Sequence, residues 1–300
     1  MDKQIVKSNH VIEASYRLTL SEQRLILLCI QQIKKGQAIT PTTGFNILAK
    51  DLIDAFGVNS KNAYSDLKEV ADVLFNRFLT IYKPDPEEPK LESTRTRWIT
   101  AIDYIPTEGR LKLYFAPKVI PYISLLESGF TRYNLEYIAP MTSVYGVRFY
   151  ELFKCWLMSD KSKVKSISLD ELKSFLDIKG QYASIKDFKF YVLDRGIEDV
   201  NQHTDLAVSY ENTRTGRKIT GLDFTINVKQ KQAKAIEAKP PKQPKTEEKK
   251  QSKENGCLSL EETKSRLEGA RALAKAINAP VETYLTEKDR ASIAHYELTI

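Results

Sequence analysis

The 300-residue sequence predicts an α+β fold: two tandem winged-helix units, then a disordered linker and a short helical tail. Three observations predict it. Residues 1–125 present a helix, two helices around a glycine turn, and β-type runs in that order. Residues 126–228 present the same order again. From residue 229 the chain becomes rich in Lys, Gln, Glu and Pro and poor in apolar side chains, the composition of a solvated linker.

The elements follow in order. Thr19 or Ser21 can cap a helix over 20–34, where Leu25, Leu28, Cys29 and Ile33 recur at helical spacing. AKDLIDAF and SKNAYSDLKEVADVLFNR flank Gly57, and the second opens at Ser60, a helix-turn-helix pattern. Phe78–Tyr82, Arg97–Tyr104 and Arg110–Phe115 read as strands, the first two separated by KPDPEEPKLE and the last following the turn PTEG. Pro117 and Pro121 bracket a further helical stretch, 119–127.

The second unit opens with SVYGVRFYELFKCWL over 143–157 as a helix, then a polar turn, SDKSKVKS. Ser168 and Glu171 have the spacing of a capping box for a short helix to Leu176. A turn at 178–181 leads to a helix over Ser184–Val200. Leu206–Tyr210 and Ile219–Val228 are strands joined by a hairpin through Gly216. After the linker (229–256), the tail (257–300) holds an amphipathic pattern at 260–277, and it is too short for a core of its own.

Composition narrows the function classes. A net charge of +7 is modest, and it is unevenly spread: residues 1–125 carry 17 basic and 14 acidic groups, 126–228 carry 14 of each, and 229–300 carry 15 and 11. A polyanion-binding face must therefore come from local placement. Cys29, Cys155 and Cys257 lie far apart, with no disulfide framework and no CxxC, and the first two sit in apolar helical stretches as buried thiols. The start lacks an apolar leader and no run spans a membrane, so a cytoplasmic location is expected.

Catalytic constellations are missing. There is no GxxxxGK[ST] loop, no His-x-His pair beside a nucleophilic tyrosine, and no His-x-x-Arg among His10, His203 and His295. No enzyme activity, metal or cofactor is expected. Asp170–Glu171 and Glu87–Glu88 read as a helix start and a loop.

The segment SIKDFKFYVLDRGIEDV is the candidate contact helix. Ile185, Phe188, Val192, Gly196 and Val200 share one side, leaving Lys186, Lys189, Phe190, Tyr191 and Arg195 on the others. The second helix of a helix-turn-helix enters the major groove with its N-terminal half. Lys186 and Lys189 suit guanine acceptors or phosphates, and Phe190 suits a thymine methyl. An ordinary solvated face is the alternative reading, and the acids Asp187, Asp194, Glu198 and Asp199 weaken the basic signal. The hairpin tip NTRTGRK adds Arg214, Arg217 and Lys218 with no acid among them. In the first unit Ser60, Lys61, Asn62, Tyr64 and Lys68 begin the corresponding helix, with Arg95 and Arg97 flanking its hairpin. Phosphate contact and dimer packing both fit those residues.

Three stretches carry a family resemblance: IVKSNHVIEASYRLTLSEQRLILLCI, SVYGVRFYELFKCW and DFKFYVLDRGIEDVNQHTDLAVSYENTRTGRKITGLDFTI. In that order they resemble the replication initiators of iteron-carrying, theta-replicating plasmids, over about residues 3–228. The resemblance implies tandem winged helices. The second, 126–228, would read repeated duplex sites through Lys186, Lys189, Phe190, Arg214, Arg217 and Lys218. The first, 1–125, in which the residue reading gives Lys61 and Asn62 as DNA-contact candidates, would give backbone contacts in the monomer and the dimer interface otherwise. It further implies a monomer on iterons, a homodimer repressing the initiator's own gene at an inverted repeat, and host helicase and initiator proteins as partners. A winged-helix repressor without a replication role is the alternative. One departure stands out: relatives carry several basic residues after the motif's Phe, where this chain has Lys189, Phe190 and Tyr191, which shifts discrimination toward apolar contact.

Overall fold

Local sequence sets the helix ends. Thr19 caps α2 (Leu20–Gln31) in a capping box with Glu22, and Ser168 does the same for α6 (Leu169–Phe175) with Glu171. Gly57, at φ 65°, ends α3 (Ala49–Phe56) in the left-handed conformation before α4 (Ala63–Phe75). The computed structural model describes residues 4–34, 36–57, 62–84 and 88–229, together with 263–264, 266–268, 270–271, 281, 285 and 287–296. It divides into two compact units, 1–230 and 231–300.

Unit 1 begins with β1 (Gln4–Ser8), α1 (Asn9–Glu13) and β2 (Ser15–Tyr16) ahead of α2. The first winged helix is α2, β3 (Gly44–Leu48), α3, α4, β6 (Ile99–Ile105) and β7 (Arg110–Phe115), with the sheet ordered β3-β7-β6. A second hairpin, β4 (Phe78–Tyr82) and β5 (Ser93–Arg97), is inserted after α4 and pairs with β2. β8 (Phe130–Asn134) pairs with β1, tying the start of the chain to the segment between the modules.

The second winged helix is α5 (Val144–Leu157), β9 (Ser162–Ser168), α6, a long helix, β10 (Leu206–Thr215) and β11 (Lys218–Val228). Its sheet order, β10-β11-β9, corresponds strand for strand to β6-β7-β3. The repeated element order of the sequence is thus a repeated topology.

Several expectations are corrected. The expected run Arg97–Tyr104 straddles two strands in two sheets: β5, which begins at Ser93 ahead of the run, ends at Arg97, and β6 starts at Ile99. The chain turns at Trp98, which is fully buried, and a bulge at Ile99/Ala101 lets β6 join β7 while β5 joins β4. The stretch 119–127 forms only one 3-10 turn, Ile120–Tyr122, because Pro121 lacks an amide donor and Leu125 sits at φ 53°. The polar turn SDKSKVKS contains β9, an edge strand along β11 in which Lys163 and Lys165 stand opposite Ile226 and Phe224. Strands β1, β3 and β8 also go beyond the sequence reading.

α5 is the centre of unit 1. Every residue except Val144, Lys154 and Trp156 is buried, including Arg148 and Glu151. Arg148 donates to the carbonyls of Ile12 (3.0 Å), Ala14 (2.7 Å) and Phe175 (3.1 Å), its guanidinium stacked on Tyr16 and Phe175. Glu151 accepts from Lys7 Nζ at 2.7 Å and from the Tyr133 hydroxyl. These contacts hold the N-terminal segment, β8 and the second helix-turn-helix to one helix, with the Arg148 Nε left as a buried donor without a hydrogen-bond partner. Cys29 and Cys155 are buried, and burial pushes the Cys155 thiol up to about 12.

In unit 2, Leu267, Ala270, Leu285 and Ile293 are buried together, with Arg266 paired to Asp289 at 3.1 Å. The tail therefore has a small apolar cluster where none was expected. Residues 263–264, 266–268 and 270–271 are helical, within the expected helix, and Glu287–His295 is a second helix. The linker from residue 230 to 256, the rest of the expected 260–277 helix and Cys257 lie outside the described residues.

Candidate nucleic-acid interface

The long helix begins at Ser184, whose hydroxyl accepts from the Asp187 amide. It runs as α7 (Ile185–Phe188), a π-helical segment (Lys189–Asp194) and α8 (Arg195–His203). A uniform α-helix from Ser184 to Val200 was expected; the π segment inserts a residue and rotates everything after it. The docked side consequently comprises Phe188, Val192, Leu193, Gly196, Ile197 and Val200, while Ile185 is only half-buried.

Two glycines permit the docking. A Cβ on Gly196 would stand 2.6 Å from the Phe149 ring, and one on Gly146 the same distance from an Asp199 carboxylate oxygen. Asp199 accepts from the amides of Thr142 and Ser143 at the start of α5. Burial raises its pKa, against the pull of those amides, His203 and Arg24.

The predicted contact residues divide by exposure. Lys186 is exposed. Lys189 and Phe190 are half-buried: Lys189 Nζ lies 5.0 Å over the Tyr210 ring, and Phe190 meets the Tyr191 ring edge-on at 4.9 Å with the Arg195 guanidinium 5.7 Å away. Arg214, Arg217 and Lys218 are all exposed at the hairpin tip, where β10 and β11 close through Gly216 at φ 62°. Of the four acids that diluted the basic signal, Asp199 is buried at the α5 cap and Asp194 is held by the Tyr210 hydroxyl at 2.6 Å. Only Asp187 and Glu198 remain as exposed acids without such a partner shown. Burial thus withdraws Asp199 from the face, while Asp187, Asp194 and Glu198 remain exposed.

Helix and hairpin are fixed to each other. Asn201 accepts from the Val208 amide (2.6 Å) and donates to the Val208 carbonyl (2.8 Å). Tyr210 makes the second tie, and burial with Asp194 alongside raises its pKa. Tyr210 and Asp194 escaped the sequence reading because their contact spans 16 residues with no local marker. The turn before the helix is shaped by Lys173, which donates to the carbonyls of Gln181 (3.2 Å) and Tyr182 (2.9 Å).

The first unit differs. Asn62 is exposed at the start of α4, and Lys61 lies outside the described residues. Arg95 and Arg97 do not flank the wing. They lie on the inserted hairpin, stacked over Phe78, with Arg97 also donating to the Phe75 carbonyl at 2.8 Å. The actual wing tip, Pro106–Gly109, carries Glu108 paired with Arg110 at 2.5 Å. On α4, Lys68 is paired with Asp72 at 2.7 Å. The cationic concentration is on the second unit.

The described residues include no group of three or more His, Cys, Asp or Glu placed to hold a metal. No described helix is long and apolar enough to cross a membrane.

Known proteins share this organisation. The model of a family described as "Initiator Replication protein, WH1" matches residues 4–154, and one described as "Initiator Rep protein, WH2" matches 168–226. The chain is 24% identical over 238 residues to an Escherichia coli replication initiation protein, covering 75% of this chain and 69% of the relative. It is 27% identical over 252 residues to the Escherichia coli PI protein, covering 73% and 80%. The crystal structure of the Pi initiator protein in complex with iteron DNA is similar at a TM-score of 0.63 and 26% identity, over 76% of this chain and 98% of that one. Two family models in tandem over two winged helices place this chain in the initiator replication protein family.

Proposed function

We propose that the protein recognises directly repeated duplex sites, iterons, at a plasmid origin through the α7–α8 helix and the β10–β11 hairpin. One observation carries this reading: exposed or half-exposed Lys186, Lys189 and Phe190 stand on the second helix of a helix-turn-helix that is tied to a hairpin tipped by Arg214, Arg217 and Lys218. That pairing supplies base-edge donors and an apolar contact from the helix, and phosphate contacts from the tip. The similar structure of the Pi initiator protein is a complex with iteron DNA, which supports iterons as the ligand.

We extend the proposal to the remaining features that the family resemblance implies. The first unit, with Lys61 and Asn62 at its helix start, contributes backbone contacts in the monomer and the interface of a homodimer. The monomer occupies iterons, the dimer represses the protein's own gene, and host helicase and initiator proteins join at the origin. The role is one of binding in the cytoplasm without catalysis.

The test is selection of duplexes from a randomised pool by the full chain, followed by competition against the shuffled sequence. A repeated motif should be enriched, and Lys189→Ala should lose about 1–3 kcal/mol of discrimination at one or two base pairs. Enrichment of no sequence, or unchanged discrimination by Lys189→Ala, refutes the assignment.

A further inference from the structure

The second helix of each helix-turn-helix is joined to the first strand of its wing by the same three residue types. In the second unit, Lys189 Nζ lies 5.0 Å over the Tyr210 ring and the Tyr210 hydroxyl donates to Asp194. In the first, Lys68 Nζ lies 5.1 Å over the Tyr104 ring and the Tyr104 hydroxyl donates to Asp72. Tyr104 is on β6 and Tyr210 on β10, the corresponding strands of the two sheets. Lys68 and Asp72 are four apart in an α-helix, whereas Lys189 and Asp194 are five apart. The π segment begins at Lys189 and ends at Asp194, and its i→i+5 repeat sets these two residues one turn apart, as four residues do in α4. The extra residue thus keeps the lysine and the aspartate on one tyrosine.

From this duplicated arrangement we infer that Tyr210 and Asp194 are positioning residues for base reading: they hold Lys189 in place on the helix while fixing the helix to the wing. The inference rests on the DNA-reading role given above. Tyr210 suits the task because its ring is anchored in the sheet against Phe224, at 6.0 Å, before it meets the helix. A lysine already confined over a ring surrenders less rotamer freedom when it meets a base than a free one does. The Tyr210 hydroxyl is a donor at neutral pH, and burial with Asp194 alongside raises its pKa further. Asp194, engaged by that hydroxyl, is kept turned toward the strand. The same three residue types meet in the first winged helix, where Lys68 is in addition ion-paired to Asp72 at 2.7 Å, and only the second winged helix couples them to an acid-free basic wing tip.

The experiment uses the full chain, the selected duplex and its shuffled counterpart, with Tyr210→Phe, Tyr210→Leu, Lys189→Ala and the double variant Lys189→Ala/Tyr210→Leu. Tyr210→Phe keeps the ring and loses the tie to Asp194, so discrimination should fall about threefold. Tyr210→Leu loses both contacts and should fall about five- to tenfold. Affinity for the shuffled duplex and the salt dependence should stay at wild-type values in both. The double variant should discriminate no worse than Lys189→Ala alone, because Tyr210 acts through that lysine. Wild-type discrimination by Tyr210→Leu overturns the inference, as do multiplicative losses in the double variant or equal losses on both duplexes. Should Tyr210→Leu fail to fold, Tyr210→Phe decides by the same criteria. A pool from which wild type enriches nothing removes the DNA-reading role itself, and this inference with it.

Discussion

Replacing Glu151 with glutamine removes one charge from the middle of α5, the central helix of residues 1–230, and keeps the side-chain shape. Glu151 and Lys7 are 1% and 4% exposed and 2.7 Å apart. The variant leaves the Lys7 ammonium buried beside a neutral amide, and breaking a buried pair in this way costs about 3–5 kcal/mol. The amide oxygen still accepts from Tyr133, and the 3.5 Å contact from Tyr16 is too long to add much. Against a total stability of about 5–15 kcal/mol, such a loss should move the urea midpoint by a large fraction of its value. Lys7→Met combined with Glu151→Gln removes both charges and should recover most of the loss, since apolar substitution of a buried pair is often nearly neutral. The assay is urea unfolding of all three variants at pH 7, with the m-value checked for constancy. A Glu151→Gln protein within about 1 kcal/mol of wild type, or a double variant no better than the single, would refute the claim that this pair welds the N-terminal strand to α5.

Other expectations bear on the helix and the wing. Gly196→Ala places a Cβ against the buried Phe149 ring and should cost about 1–3 kcal/mol in thermal or urea unfolding. Replacing Arg214, Arg217 and Lys218 with alanine should weaken selected and shuffled duplexes alike and flatten the plot of log affinity against log salt by about 0.9 per lost phosphate contact; an unchanged slope would move the phosphate contacts elsewhere. Asp199 has a raised pKa when folded, so between its ordinary value of 3.8 and that raised value the folded protein binds more protons than the unfolded chain. Its contribution to stability therefore falls as pH rises through that window, and Asp199→Asn should flatten that part of the stability–pH profile.

What the sequence disclosed was local. Capping pairs such as Thr19 with Glu22 and Ser168 with Glu171 act within one turn, so residue spacing alone reveals them. The hairpin around Gly216 is legible for the same reason. β9 was hidden because Lys163 and Lys165 occupy core-side positions at a sheet edge, where long alkyl stems can cover apolar neighbours while the charges reach water. That substitution erases the apolar–polar alternation by which a strand is recognised. The division of one β run at Trp98 depends on two sheets competing for neighbouring residues, and nothing in the run itself announces it.

The candidate site was legible as residue types and incomplete as geometry. Lys186 and the wing cations were found from charge and position, and they are exposed. The π segment has no local signature, and it changes which residues share the docked side. Tyr210 lies on a strand 16 residues from Asp194, so its part in holding Lys189 emerges only after folding.

Hydrogen–deuterium exchange of the full chain with and without the selected duplex tests the proposed DNA-reading face most directly. Slowed exchange in residues 185–195 and 212–219 is the predicted result. Protection confined to other segments, with both of these unchanged, would contradict it.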